Sequence, residues 1–500
     1  MTRAKPSSGP TSRGTAGPQP SRRAFLKRTG AVALGAGAFA FGGGEALRRL
    51  ARAAPPELLL DGGFPDRHYI FCYFGGGWDI LLSLDPRDPA LFTDGNVPVT
   101  RIQPGYDQLQ APPALPYRDV LGDGSMFLGP YMGELAALAD RICVVRGISM
   151  DTLTHEVGRR RFITGRPPSG LLARGSSTDT WLASHLGEDE PVPNLSIRVE
   201  SYNTGDLPNF ASALKTTGID DLLRVLSPGG PSLGTLQERQ LDELLRQSAA
   251  CPTAARSELW RRAELSRAKA QQMLEDDLAG LFDFRANTPE MVALRDFYGI
   301  PNTGAAAMRS SAAMAAMAAT AVMNGVSRAV SIRVTSASLD THFGNWSTDQ
   351  GPRQEEAFTA VARMLRHLEA SPYPDGSGDS WLDRTIVVGF SEFSRTPILN
   401  NNGGRDHWLG NSCFLAGGRI ARGRVLGASS NIGMNPIPMD LATGAACTVD
   451  LDMAVPCPEE PGLVEVVRPE HIIQALYHEV GIVDDAPDLR VPPLTAIFQT

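Results

Sequence analysis

Carboxylates and imidazoles gather at a few points of this chain in patterns suited to metal chemistry. Gly75-Gly76-Gly77-Trp78-Asp79 offers a carboxylate from a flexible turn, and Asp340-Thr341-His342 sets an acid and an imidazole two residues apart. Ser391-Glu392-Phe393-Ser394-Arg395-Thr396-Pro397 combines an acid with a guanidinium, and Gly404-Arg405-Asp406-His407-Trp408 repeats the acid–imidazole pairing. On an extended segment, residues two apart point the same way, so Asp340 and His342 would share a side. Neutral imidazole nitrogens and carboxylate oxygens are the donors that Zn²⁺, Mn²⁺ or a similar ion takes. Taken singly, each has an ordinary explanation: a loop histidine caps a turn, and an acid after a strand is solvated. Together they are harder to dismiss, because each cluster follows or flanks a strand-like run.

The elements that must position these residues are legible as short apolar runs. They are His68–Phe74, Arg141–Val145, Leu195–Val199, Ala329–Val334, Thr385–Phe390 and Ser412–Ala416, each ending in glycine or polar residues. Helical patterns alternate with them at Tyr131–Asp140, Thr178–Leu186, Met308–Asn324, Gln354–Leu368 and Glu470–Val480. Such alternation predicts an α/β fold, a mostly parallel central sheet with helices on both faces. Ligands of open α/β sheets bind beyond the carboxyl ends of the strands, and the acid and imidazole clusters stand there. Residues 236–284 break the alternation with charged helical faces, predicting a helical insertion that either caps the loop face or is merely peripheral. No internal repeat is visible.

Residues 21–27, Ser-Arg-Arg-Ala-Phe-Leu-Lys, precede a weakly apolar, glycine-rich stretch from Gly30 to Gly44. Arg22 and Arg23 in this setting predict export through the twin-arginine translocon, to the periplasm or beyond. The stretch is too short and too rich in glycine for a transmembrane anchor, which needs about 20 strongly apolar residues. Ala51-Arg52-Ala53 would serve as a cleavage site, giving a leader over 1–53 and one α/β domain over 54–500; retention of the leader as an anchor is the alternative. A net charge of −8 gives no sign of nucleic-acid binding. Among the six cysteines no CxxC zinc spacing occurs. Cys72, Cys143 and Cys413 lie in strand-like runs and read as buried thiols, while Cys447 and Cys457 bracket a loop and form the candidate disulfide.

Gly-Gly-Trp-Asp79, Thr154-His155, Asp340-Thr-His342, Ser-Glu392-Phe-Ser-Arg395-Thr-Pro and Gly-Arg-Asp406-His407-Trp, in this order, resemble the DUF1501 proteins. That family of exported bacterial proteins is related to the alkaline phosphatase and sulfatase superfamily, and the resemblance runs from about His68 to Gly427. It implies an alkaline phosphatase-like sheet holding one or two divalent ions (Zn, Mn, Mg or Ca) beside a nucleophile. Asp79, Asp340, His342, Glu392 and His407 match ligand positions, with Asp406 either a ligand or the residue that orients His407. His155 stands where the superfamily's nucleophile begins a helix ending in Thr164-Gly165, and Arg159 stands where sulfatases keep an arginine. Because His155 cannot become a formylglycine, three alternatives stay open. Thr154 is the nucleophile, or His155 is a ligand or base while a hydroxide attacks, or hydrolysis has been lost. The implied activity is hydrolysis of a phosphate or sulfate ester or a related anion on a small molecule or polymer. The alternative is a non-catalytic exported binding or assembly protein that keeps the metal site. A Ser-His-Asp esterase is disfavoured, since the G-x-S-x-G match at Gly230-Pro231-Ser232-Leu233-Gly234 does not directly follow a strand-like run as a nucleophile elbow must.

Overall fold

The computed structural model describes residues 66–205, 207–227, 235–249, 257, 260, 277–447, 464–482, 487 and 489–499. The arginine pair at 22–23, the cleavage site and Cys457 lie outside them, as does most of 250–276.

An eight-stranded sheet runs through the described residues. Its strands are β1 (His68–Tyr73), β2 (Ile142–Ser149), β3 (Asn194–Ile197), β4 (Leu214–Thr216), β5 (Ala329–Arg333), β6 (Thr385–Phe390), β7 (Gly410–Gly417) and β8 (Arg424–Leu426). Their order across the sheet is β8-β2-β7-β6-β1-β5-β3-β4. All pair parallel except β7, which runs against both β6 and β2. The expected α/β class with a mostly parallel sheet is therefore what the chain adopts.

Strand β1 shows why both faces are covered. Ile70, Cys72 and Phe74 enter one hydrophobic core and Tyr69, Phe71 and Tyr73 the other, with every one of them buried. A strand alternates its side chains between faces, and one apolar on both needs helices on both. The first face packs helices α3 (Ser311–Met323) and α4 (Gly351–Ala370); the second packs α1 (His155–Thr164), α2 (Thr178–Leu186) and α5 (Pro469–Glu479). Helix α3, built of alanine and methionine, is buried on nearly every side, and Ser310 caps it by accepting from the Ala313 amide.

Within the expected insertion, Thr235–Ala249 is helix and Leu278–Leu281 a single turn. Cys72, Cys143 and Cys413 are buried free thiols, and burial pushes Cys143 up to about 12. Cys447 is disulfide-bonded, and its expected partner Cys457 falls outside the described residues. Among the described residues no helix is long and apolar enough to cross a membrane.

Candidate metal centre

The topology puts the chemistry on one edge. Asp79 follows β1, His155 follows β2, Asp340 and His342 follow β5, and Glu392 follows β6. His407 precedes β7, and because β7 runs the opposite way its start lies at the carboxyl ends of the others. His407 sits in a two-residue strand, His407–Trp408, paired with Ser394–Arg395.

Four side chains converge. Asp340 Oδ1 lies 2.9 Å from His342 Nε2, 3.4 Å from His155 Nε2 and 3.5 Å from His407 Nε2. His342 Nε2 and His407 Nε2 are 2.9 Å apart. The other ring nitrogen of each imidazole faces an oxygen that can only accept. His155 Nδ1 is 2.7 Å from Glu392 Oε1, His342 Nδ1 is 2.9 Å from Asp406 Oδ1, and His407 Nδ1 is 2.5 Å from the Leu153 carbonyl. Each Nδ1 must therefore carry the proton. In their neutral forms all three imidazoles then turn an Nε2 lone pair toward one carboxylate oxygen.

Acceptors crowded in this way suit a cation, and the Arg395 guanidinium already reaches Asp340 Oδ1 at 2.6 Å and His342 Nε2 at 3.3 Å. Two ligands about 2.1 Å from one ion stand roughly 3.0 Å apart at a right angle and roughly 3.4 Å apart at the tetrahedral angle. The separations fit those edges, and Nδ1–H held by a carboxylate or backbone carbonyl is the usual support of a metal-bound histidine. Within the described residues His155, Asp340 and His407 are close enough to share an ion, and His342 Nε2 lies 2.9 Å from Asp340 Oδ1 beside them.

Charge and burial act differently on the converging groups. Burial lowers His407 against the raising effect of the Leu153 contact, and the charge of Arg395 acts with the burial. Burial would lower His155 too, but the hydrogen bond and charge of Glu392 carry it upward. Burial alone would raise Asp340, yet the Arg395 hydrogen bond and charge bring it down to about 2.

The remaining expected ligands have other work. Asp79 is fully buried and forms an ion pair with Arg405 Nε at 3.0 Å, while Trp346 Nε1 donates to it at 2.8 Å. Its other oxygen accepts from the Leu81 amide, so Asp79 is not one of the converging donors. Glu392, 1% exposed, also accepts from the Gly76 amide at 2.9 Å and serves to hold His155. Asp406 orients His342, not its neighbour His407, because adjacent residues on an extended segment face opposite ways. Arg159 donates to Glu200 at 3.1 Å and lies over the Tyr73 ring. Arg395, fully buried, donates to Asp340 at 2.6 Å and to the carbonyls of Gly76, Gly77 and Arg405. It fixes Asp340 and has little left for a substrate. Thr154 is exposed at the start of α1, and its hydroxyl is not spent on capping. Leu153, whose carbonyl locks His407, is a contributor that no sequence signal marks.

Glycines let these loops approach. A Cβ on Gly76 would lie 2.4 Å from the Leu339 amide nitrogen, one on Gly404 2.2 Å from the His342 carbonyl carbon, and one on Gly158 2.2 Å from the Glu392 carbonyl oxygen. Gly158→Ala should therefore push α1 off the Glu392 segment and pull His155 from its acceptor. Metal affinity is expected to fall about tenfold to a hundredfold, as when a supporting partner is lost, although alanine favours the helix by about 1 kcal/mol. Titration of the chelator-stripped protein checks this; unchanged affinity would mean the close approach does not hold the site.

The family model described as "Protein of unknown function (DUF1501)" matches residues 66–453 of this chain. No curated protein matches it. Among solved structures, the crystal structure of the PsFucS1 sulfatase from Pseudoalteromonas sp. is similar at a TM-score of 0.32 and 12% identity, covering 91% of this chain and 73% of that one.

Proposed function

The chain belongs to the DUF1501 family, whose description names no activity, so we propose its function from the site: a metal-dependent hydrolase of phosphate or sulfate esters or a related anion. One observation carries this reading, the convergence of three imidazole lone pairs on Asp340 with every Nδ1 held by an acceptor. His155, His342, His407 and Asp340 would hold one divalent ion, which when bound supplies Lewis acidity at an ester oxygen.

The chain's own groups divide the remaining tasks. Thr154 offers an unspent hydroxyl at the first turn of α1, where backbone N–H groups favour an anion. Glu392 and Asp406 keep the protons of His155 and His342 on Nδ1. Arg395 holds Asp340 ionised.

A second reading, a non-catalytic binding protein, is favoured by one feature. Arg159 and Arg395 are both engaged by carboxylates, Glu200 and Asp340. Metal analysis of the purified protein, paired with hydrolysis of aryl phosphate and aryl sulfate esters, separates the two. Bound metal with turnover of either ester, lost in Thr154→Val, supports the hydrolase. Bound metal without turnover supports the binding protein, and absence of metal overturns both.

A further inference from the structure

A group of arginines lies one strand away from the metal centre. Strands β3 and β5 pair in register up to Ile197 opposite Ile332, so Arg198 and Arg333 are next, side by side at the strand ends. The Arg333 guanidinium lies over Gly75, where a Cβ would stand 2.8 Å from its Nε. Gly76, the next residue, packs against the Asp340 backbone, so the turn after β1 touches Arg333 at one residue and the Asp340 segment at the next. Arg198 donates through its backbone to Thr216 of β4, and beyond β4 the stem of exposed Arg309 crosses Gly218.

Among the described residues the nearby carboxylates are committed elsewhere. Glu200 takes Arg159 and Arg160, Asp220 takes Arg285, Asp221 takes Arg224, and Glu356 accepts from Ser311 and Ser336. Among the described residues the side chain of Arg198 hydrogen-bonds only the Ser336 carbonyl at 3.4 Å, and Arg333 only Thr335 at 3.4 Å. Like charges at the ends of neighbouring strands repel. Arg198 also sits in the left-handed region at φ 58°, a conformation that favours glycine. Strain and repulsion kept together at a sheet edge are typical of a ligand site.

We propose that Arg198 and Arg333 form an oxyanion subsite beside the metal centre, which holds a second negative group of an extended polyanionic ligand, with Arg309 continuing it outward. Guanidinium groups suit sulfate, carboxylate and phosphate alike, since each offers paired oxygens to a planar fork. The subsite requires binding only, and stands whether or not the metal centre turns over.

Fluorescence anisotropy with the full, metal-loaded chain tests it, using a labelled sulfated hexasaccharide, a galacturonate hexamer and a short polyphosphate. At least one should bind, with affinity falling as salt rises, and the tightest identifies the oxyanion. In Arg198→Gln/Arg333→Gln, affinity for that probe should drop tenfold or more with bound metal unchanged. Arg198→Gly should also bind more weakly while its Tm stays level or rises, since glycine relieves the backbone. The proposal is overturned if no probe binds the native chain, if the double variant binds equally well, or if Arg198→Gly loses Tm. Arginine-dependent binding without ester turnover would count against the hydrolase alone.

Discussion

His407→Ala should strip the metal from the purified protein and erase the effect of a chelator on its melting. His407 meets both His342 and Asp340, so its removal opens the donor set on two sides. A ligand present at a hundred times its Kd adds about 2.7 kcal/mol to folding. For a domain of this size that corresponds to about 3 °C in Tm. The native protein should therefore lose roughly that much on chelation, and the variant should melt at the chelated value with or without chelator. Elemental analysis and scanning calorimetry read the two quantities. A variant that keeps its metal, or still responds to the chelator, would remove His407 from the ligand set.

Asp79→Ala should do the reverse: destabilise strongly and leave the metal in place. Asp79 and Arg405 are both fully buried, so losing the acid strands a guanidinium in the interior. Breaking a buried pair from one side typically costs about 3–5 kcal/mol, and Trp346 loses its acceptor as well. Replacing both partners, as in Asp79→Ala/Arg405→Met, should recover much of the loss, because the stranded charge goes with it. Urea unfolding measures the stabilities, and metal content is read below the transition. If Asp79→Ala bound no metal while still folded, Asp79 would be a ligand after all.

Those two residues mark where the sequence is readable and where it is not. The continuous apolar run along His68–Tyr73 and the glycines after it announce a doubly covered strand, and β6 begins and ends where its apolar run does. Strands β4 and β8 escape notice because three residues make no pattern. The direction of β7 is also invisible, since nothing within Gly410–Gly417 says which neighbours it will run against. At the site, residue types and positions beyond strand ends are enough to collect Asp340, His342 and His407. Their division of labour is not local. Asp79 and Arg405 are both charged and far apart in sequence, and only the folded chain buries them together. Asp406 adjoins His407 yet serves His342, because the pleat sends neighbours to opposite sides.

The place of β7 also sets a timetable for synthesis. It lies between β6 and β2, joining the part of the sheet that carries β1 and β5 to the part formed by β2 and β8. His155 leaves the ribosome early, Asp340 and His342 much later, and His407 just ahead of β7 itself. A nascent chain that ends before Gly410 lacks both sheet neighbours of β2, because β7 and β8 are still to be made. The sheet under the candidate centre is therefore completed late, when β7 enters its slot between β6 and β2.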